Sequence, residues 1–296
     1  MPRQAPPETI ILQQPQPKRS VMAVSRPLVM GVLNVTPDSF SDGGLYLDPD
    51  AAVSRAEQMV SEGADLIDVG GESTRPGSAG VSLEEELRRT IPVIRRLAKA
   101  VRIPLSIDTS KADVAQRALD AGASSVNDVT ALRGDPRMAS VVARHRAAVI
   151  LMHMAGTPRA MQRRPRYRDV AREVAAFLMR QATQAQAAGI SRSRILVDPG
   201  LGFGKSVAHN LALMRELRRF VALGFPVVIG PSRKSFIGKT LDADVGDRLT
   251  GTLACVASAF WHGVAMVRVH DVRACVQLLQ MLEAIRGTHH APWRQH

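Results

Sequence analysis

The chain has 296 residues, 45% hydrophobic and only 4% aromatic, enough for one large barrel or two average domains with an aliphatic core. This composition excludes a disordered protein and a disulfide-built scaffold. The formal charge is +12, and 33 of the 39 cationic side chains are Arg spread along the whole chain. With few aromatic side chains to stack bases, we expect small anionic substrates rather than nucleic acid as partners.

The cysteines and the apolar runs bear on the cell compartment. Cys255 and Cys275 stand in apolar surroundings without CxxC spacing, which argues against a zinc site or a disulfide and favours a reducing cytoplasm. No apolar run reaches the roughly 20 residues that a membrane span needs, and the first residues form no apolar signal core. We therefore predict a cytoplasmic protein that contacts no membrane.

Both ends of the chain are predicted to be flexible. Residues 1–26 carry Pro2, Pro6 and Pro15 among Gln and Arg and have no periodic apolar face, so we expect a disordered extension. Residues 288–296 are predicted to be a flexible tail. A single domain over residues 27–287 lies between them.

Within that domain, short β-branched runs alternate with longer amphipathic segments, the pattern of consecutive βα units. The eight predicted strands are 28–33, 66–69, 103–107, 125–126, 149–152, 195–197, 227–229 and 265–269. The clearest predicted helices are 83–100, 170–188, 210–223, 248–261 and 272–285. Ser82 and Glu85 form a capping-box pattern at the start of the first of these.

The predicted fold is a (β/α)8 TIM barrel. Polar side chains lie at the ends of all the runs: Asn34, Asp68, Asp108, Asn127, His153, Asp198, Ser232 with Lys234, and Arg268 with His270. In a barrel the carboxyl ends of all strands converge on one mouth, whereas an open doubly wound sheet uses only its switch point. The doubly wound sheet is the alternative, which chain length alone does not exclude.

Two glycine-bearing segments follow the first two strands. Residues 34–44, NVTPDSFSDGG, are predicted to form a mobile loop in which Phe40 caps an apolar ring and Asn34 offers an oxygen to magnesium. An ordinary polar loop is the alternative. In residues 68–77, DVGGESTRPG, Thr74 and Arg75 are typical phosphate donors. A helix cap is the alternative there.

Three further strand ends carry a carboxylate, an amide and a second carboxylate: Asp108, Asn127 and Asp198. In one mouth, such a set can recognise a heterocycle that bears both donors and acceptors. Taken singly, each side chain could be a structural hydrogen-bonding group.

The loops after strands seven and eight form the recurring phosphate site of TIM barrels. Residues 230–235, GPSRKS, and 268–271, RVHD, supply three cations and an imidazole there, so we predict an anion site. A solvated charged loop is the alternative. The sequence offers no Ser, His and Asp grouping for a nucleophile, which disfavours covalent catalysis.

Together, residues 31–44, 68–77 and 232–235 resemble, in order and spacing, the dihydropteroate synthases of the folate pathway, and the resemblance extends over residues 30–285. It implies a TIM-barrel enzyme of the sulfonamide-target class, usually a homodimer. The implied reaction joins (7,8-dihydropterin-6-yl)methyl diphosphate to p-aminobenzoate with Mg²⁺, by loss of diphosphate before amine attack. This course fits the lack of a nucleophile.

The resemblance also implies individual roles. The implied pterin-binding residues are Asp108, Asn127, Met152, Asp198, Phe203 and Lys234. The implied diphosphate-binding residues are Asn34, which also binds the magnesium, Thr74, Arg75, Arg268 and His270. The implied p-aminobenzoate-binding residues are Phe40, Thr74, Pro76, Phe203, Ser232 and Lys234. Asp108, Lys234 and Arg268 are the implied catalytic residues.

Two other functions share parts of this pattern. A folate-dependent methyltransferase barrel would also bind a pterin, but it needs neither the loop of residues 34–44 nor a diphosphate site. A catalytically silent pterin-binding paralogue would be expected to lose loop or diphosphate residues, and none is missing here.

Overall fold

Eight parallel strands form the centre of the molecule. The computed structural model describes residues 26–36, 49–73, 80–156, 161 and 165–287. The strands are β1 (Leu28–Asn34), β2 (Leu66–Gly70), β3 (Leu105–Asp108), β4 (Ser125–Asp128), β5 (Ala148–Met152), β6 (Ile195–Asp198), β7 (Val228–Ile229) and β8 (Met266–Val269). They form one sheet in the order β6-β5-β4-β3-β2-β1-β8-β7, and a parallel bridge between Val197 and Val227 joins its two edges. The predicted (β/α)8 barrel is confirmed.

Helices follow the strands and cover the outside of the barrel. They are α1 (Pro49–Ser61), α2 (Leu83–Ala100), α3 (Ala112–Asp120), α4 (Met138–His145), α5 (Val170–Ala187), α6 (Val207–Arg215), α7 (Leu217–Val221), α8 (Ser235–Leu241), α9 (Leu249–His262) and α10 (Val272–Arg286). Among the described residues, no helix is both long and apolar enough to span a bilayer.

The predicted single helix over residues 210–223 is wrong. The structure has two helices there, α6 and α7, and Glu216 between them leaves the helical conformation with φ −99° and ψ 19°. Leu213, Leu217 and Phe220 are fully buried at spacings of four and three residues, so the apolar period runs across the break. Helix α6 also begins earlier than predicted, because Ser206 caps it by accepting a hydrogen bond from the backbone N–H of His209.

Only half of the predicted capping box at the start of α2 forms. Ser82 Oγ accepts a hydrogen bond from the backbone N–H of Glu85 at 3.2 Å. The carboxylate of Glu85 binds Arg88 and Arg89 on the next turn instead. The cap therefore satisfies one of the helix's first N–H groups, and the ion pairs hold the glutamate away from Ser82.

Two apolar layers hold the barrel together. One cluster fills its interior and consists of Leu28, Met30, Leu66, Ala148, Ile150, Leu196, Val228 and Met266. Alternate residues of the same strands, such as Val29, Ile67 and Val267, are fully buried against the helices. Because side chains alternate along each strand, the next inward positions beyond the interior cluster are the polar ones at the carboxyl ends.

Most of the two predicted flexible ends lies outside the described residues. Arg26, which the sequence placed in the extension, is described and belongs to the barrel. Its guanidinium donates to the Asp65 carboxylate at 2.8 and 3.2 Å and lies 3.9 Å from Glu283. The start of β1 is thus tied to the segment before β2 and to α10.

Candidate active site

The strand register aligns the predicted site residues across neighbouring strands. In β1 to β4, Asn34 pairs with Gly70, Gly70 with Asp108, and Asp108 with Asn127. In the same way Met152 of β5 pairs with Asp198 of β6. Asn34, Gly70, Met152 and Asp198 follow members of the interior cluster by an even number of residues, so they share its inward direction. Asp108 and Asn127 each come directly after a residue of the outer layer, Ile107 and Val126, and therefore also face inward.

Arg268 lies at the centre of a buried polar network. Its Nε donates to Asp68 Oδ2 at 2.6 Å, and its Nη2 donates to Asp108 Oδ2 at 2.8 Å. Asn127 Nδ2 donates to the same Asp68 oxygen at 2.9 Å. Two of the guanidinium's nitrogens are therefore engaged within the protein. Within the described part of the chain, Nη1 of Arg268 and Oδ1 of Asp108 have no hydrogen-bond partner.

Burial shifts the pKa values of the two predicted pterin carboxylates upwards. Desolvation raises the pKa of Asp108 to about 7. The positive charge of Arg268 lowers this pKa, and the negative charge of Asp68 raises it further. Desolvation likewise raises the pKa of Asp198 to about 6, although its Oδ1 accepts the Gly200 N–H at 2.7 Å. Each carboxylate is therefore poised to gain from further N–H donors, which favour its ionised form.

An apolar wall lies beside these carboxylates. It is a cluster of five buried side chains: Val129, Met152, Met154, Met161 and Phe203. The Nζ of Lys234 stands 4.1 Å from the centre of the Phe203 ring, a cation–π distance. A flat heterocycle can thus be stacked on thioethers and a ring while its edge meets the carboxylates.

The loops after β7 and β8 are joined by hydrogen bonds. Ser232 Oγ accepts the backbone N–H of His270 at 3.2 Å and lies 3.0 Å from its Nδ1. Arg233 Nη2 and Nε donate to the two carboxylate oxygens of Asp271 at 2.6 and 3.1 Å. Arg233 therefore has a compensating carboxylate, and its charge is committed to joining the loops.

Asn34 places a hard oxygen at the mouth. A Cβ built at Gly70 would lie 3.7 Å from Asn34 Oδ1 and 3.8 Å from Asp108 Oδ2, so this glycine keeps the space between them open. No three His, Cys, Asp or Glu side chains of the described ranges are grouped to hold a metal ion. An amide oxygen beside a carboxylate fits magnesium only when substrate oxygens and water complete the shell.

Four predicted site residues, Phe40, Thr74, Arg75 and Pro76, fall in residues 37–48 and 74–79, outside the described residues. Their roles stay predictions.

The family model described as "Pterin binding enzyme" matches residues 30–270 of the chain. The chain belongs to the dihydropteroate synthase family of pterin-binding enzymes. It is 48% identical over 271 residues to the dihydropteroate synthase of Mycobacterium leprae, which covers 89% of this chain and 95% of that protein. It is 44% identical over 261 residues to the Escherichia coli dihydropteroate synthase, covering 88% and 92%.

Solved dihydropteroate synthase structures agree. The Yersinia pestis enzyme in a sulfonamide drug complex superposes with a TM-score of 0.87 at 44% identity, over 90% of this chain and 96% of that chain. The Xanthomonas albilineans enzyme in complex with 7,8-dihydropteroate gives a TM-score of 0.80 at 45% identity, over 88% and 94%.

The sequence pattern predicts no role for two buried residues near the site, Asp68 and Lys205. Asp68 is predicted only to end a strand. In the structure its side chain points inward and accepts hydrogen bonds from both Asn127 and Arg268. Lys205 ends the glycine-bearing segment 200–205, GLGFGK, for which no role is predicted, and it is buried next to Asp198. Neither pairing could be found from spacing, because each joins residues from separate strands or loops.

Proposed function

We propose that the protein condenses (7,8-dihydropterin-6-yl)methyl diphosphate with p-aminobenzoate to give 7,8-dihydropteroate and diphosphate, a step of folate biosynthesis. The observation that carries this proposal is the buried ring of Asp108, Asn127, Asp198 and Arg268 beside an apolar wall. Related enzymes from Xanthomonas albilineans have been solved with 4-aminobenzoic acid and with 7,8-dihydropteroate. The match to the pterin-binding family covers residues 30–270, which is nearly the whole barrel.

The carboxylates and the amide read the edge of the pterin. Its amino-pyrimidine edge presents paired N–H groups, which match the two oxygens of a carboxylate. Asp108 Oδ1, buried without a partner among the described residues, is one acceptor for them, and Asp198 is the other. Asn127 supplies an amide, while Met152 and Phe203 pack against the ring faces.

The diphosphate lies toward the ends of β1 and β8. Arg268 donates from Nη1, and His270, oriented by Ser232, contacts the terminal oxygens. Thr74 and Arg75 are further proposed diphosphate ligands, as the resemblance to the family implies. Asn34 Oδ1 would be the protein ligand of a magnesium ion, which would supply positive charge to offset that of the diphosphate.

The electrostatics of the mouth favour loss of the leaving group before attack. When the methylene C–O bond breaks, its electron pair goes to diphosphate, and positive charge spreads from the methylene into the dihydropterin ring. Arg268 stabilises the first charge, and the Asp108 carboxylate stabilises the second. The aniline nitrogen of p-aminobenzoate then forms the new C–N bond and releases its proton. No protein nucleophile takes part.

The p-aminobenzoate lies between Lys234 and the two loops. Lys234 is held over Phe203, so its ammonium stands at the boundary between the pterin wall and the amine pocket. Ser232 follows β7 on the same side, and the resemblance to the family assigns Phe40, Thr74 and Pro76 to the same substrate. Lys234 therefore orients both substrates.

A homodimer in the cytoplasm completes the proposal. Six large apolar side chains are exposed on α8, α9 and α10 and on the turn between α8 and α9: Leu241, Val245, Leu249, Trp261, Met281 and Ile285. A second copy of the chain would cover such a face. Cys255 and Cys275 are both free thiols, as a reducing compartment favours.

The deciding experiment is an assay of diphosphate release with purified protein. We expect release only when both substrates and magnesium are present, and dihydropteroate formed in equal amount. Pterin binding without release would make the chain a silent paralogue. Methyl transfer from a methylated folate, with no diphosphate release, would support the methyltransferase alternative.

A further inference from the structure

The loop between β6 and α6 encloses a buried lysine that the proposed reaction does not use. Lys205 is only 3% exposed. Its Nζ donates to the carbonyl oxygens of Gly200 at 2.9 Å, Phe203 at 3.0 Å and His153 at 3.3 Å, and lies 2.9 Å from His153 Nδ1. One side chain thus joins the end of β5 to the loop after β6.

The backbone of this loop is shaped so that its carbonyls point at the ammonium. Gly200, Gly202 and Gly204 all have left-handed φ values, of +69°, +84° and +63°. A Cβ at Gly200 would come within 2.0 Å of the His153 carbonyl oxygen, so no other residue fits without moving the backbone. An apolar side chain in place of Lys205 would leave the His153 and Phe203 carbonyls without this donor, and the Gly200 carbonyl with only the Phe203 N–H.

The titratable groups around Lys205 also suit a hydrogen-bond donor at this position. The neighbouring groups are His153 directly after β5, Asp198 on β6 and Lys234 at the start of α8. Burial lowers the pKa of His153 to about 3, so the imidazole is neutral and Nδ1 can accept a hydrogen bond. Burial lowers the pKa of Lys205 to about 7, while Asp198 favours its ammonium form.

Two atoms that Lys205 holds belong to residues of the pterin pocket. The Phe203 carbonyl fixes a residue whose ring lies under Lys234. The Gly200 carbonyl fixes a residue whose N–H binds Asp198 Oδ1. Building on the proposed function, we propose that Lys205 is a positioning residue that sets the Phe203 ring and the Asp198 carboxylate against the pterin without touching the substrate.

This role is confined to one half of the site. Arg268 and His270 are fixed by Asp68, Asp108 and Ser232, and none of these contacts passes through Lys205. Loss of Lys205 should therefore weaken pterin binding and spare diphosphate binding. A residue that merely stabilises the fold would affect both ligands alike, or neither.

The test is calorimetry on Lys205→Met with two probes: 6-hydroxymethyl-7,8-dihydropterin, and diphosphate with Mg²⁺. We expect the dissociation constant of the pterin to rise about tenfold or more, because the loop loses every hydrogen bond that Lys205 donates, and the His153 and Phe203 carbonyls lose this donor. The dissociation constant of diphosphate should stay within about twofold, as for independent sites. Phe220→Leu, a core change in α7 away from the mouth, serves as the stability control and should leave both constants unchanged.

Equal weakening of both ligands, or unchanged pterin binding in a folded variant, would overturn the inference. If Lys205→Met does not fold, Lys205→Gln, which keeps two N–H donors, should show a smaller loss confined to the pterin. Failure of both variants to fold would make Lys205 a folding residue and also overturn it. Absent pterin binding and diphosphate release in the wild type would instead refute the proposed function, and this inference with it.

Discussion

At the scale of single residues, the site concentrates carboxylates whose folded-state pKa values lie above the ordinary ones. The pKa of Asp198 is about 6 instead of 3.8, because the side chain is buried. Between these two pH values the folded protein keeps a proton on Asp198 that the unfolded chain has lost. The free energy of unfolding therefore decreases as pH rises from about 4 to about 6, by up to about 3 kcal/mol from this group.

Replacing Asp198 with Asn should separate binding from stability. The variant lacks the titration, so we expect its stability relative to wild type to increase from pH 4 to pH 7.5, measured by denaturant unfolding at both values. Pterin affinity should fall by about 2 kcal/mol or more, because one acceptor oxygen becomes a donor that faces the pterin's donors. Intact pterin binding with reduced stability would make Asp198 a structural residue.

Substitution of Gly70 tests where the leaving group of the substrate binds. An added methyl group would make only ordinary contacts, 3.6 Å from Asp108 Cβ and 3.7 Å from Asn34 Oδ1, so Gly70→Ala should fold normally. It would occupy the space between Asn34 and Asp108, where we propose that the diphosphate-bearing methylene lies. We expect the KM of the pterin diphosphate to rise about tenfold, the cost of displacing one well-placed contact.

Gly246→Ala provides the matched control for this change, because nothing lies within 4 Å of its added Cβ. Its kinetics and melting temperature should equal those of wild type. A Gly70→Ala enzyme with wild-type KM would place the leaving group elsewhere.

At the scale of elements, the alternation of strands and helices could be predicted well, and its boundaries less so. Several strands extend one or two residues beyond the predicted runs, because Asn34, Asp108 and Asp198 are polar and yet pair within the sheet. The break between α6 and α7 at Glu216 could not be predicted, because the helical spacing of apolar residues continues across it. Residues at the strand ends were predicted to meet at one mouth of the barrel, and the described ones do. The hydrogen bonds that Asp68 accepts from both Asn127 and Arg268 depend on the strand register, which no local sequence pattern encodes.

The ion pair between Arg233 and Asp271 tests whether linked loops matter for the anion site. Arg233 has a left-handed φ of +56°, and its backbone is held by Thr252 and Arg248. Asp271→Asn removes the charge that joins this loop to the one carrying His270. We expect a loss of stability of about 1 kcal/mol, since both side chains are partly exposed.

Diphosphate affinity in the same variant should fall about threefold to fivefold, as a displaced His270 loses part of a charge-assisted hydrogen bond. Calorimetry with diphosphate and magnesium measures this. Glu216→Gln breaks an exposed ion pair with Arg219 and should change neither quantity. An Asp271→Asn protein with unchanged affinity would show that the loops are positioned independently.

At the scale of the whole molecule, the exposed apolar face of α8 to α10 is the proposed dimer contact. Trp261 and Met281 are 50% and 60% exposed, and Trp261 packs edge-on against Phe260. A double variant, Trp261→Glu and Met281→Glu, should sediment as a monomer, because buried unpaired carboxylates oppose association by several kcal/mol. Met179→Glu, on α5, should leave the sedimentation coefficient of wild type unchanged. A monomeric wild type would refute the proposed dimer.

The start of the barrel can be located by truncation. The sequence predicts that the proline-rich extension contributes nothing to chemistry, because ordering it would cost about 1 to 2 kcal/mol per residue with little apolar surface to bury. Arg26 differs, because it binds Asp65, whose carboxylate also accepts the Val29 N–H at 2.7 Å. A chain that begins at Arg26 should therefore have a kcat within about twofold of that of the full chain, and the same melting temperature. Effects this small are typical of changes at a protein surface.

The same truncated chain carrying Arg26→Ala should lose stability while keeping its kcat. The Asp65 carboxylate would keep only its Val29 contact and lose the guanidinium, which we expect to cost about 1 kcal/mol for this partly exposed pair. Thermal unfolding of the two truncated proteins measures that difference directly. A collapse of activity in the chain that begins at Arg26 would instead show that the extension is a functional arm. Equal melting temperatures for the two proteins would mean that β1 is held in register by its neighbours β2 and β8 alone.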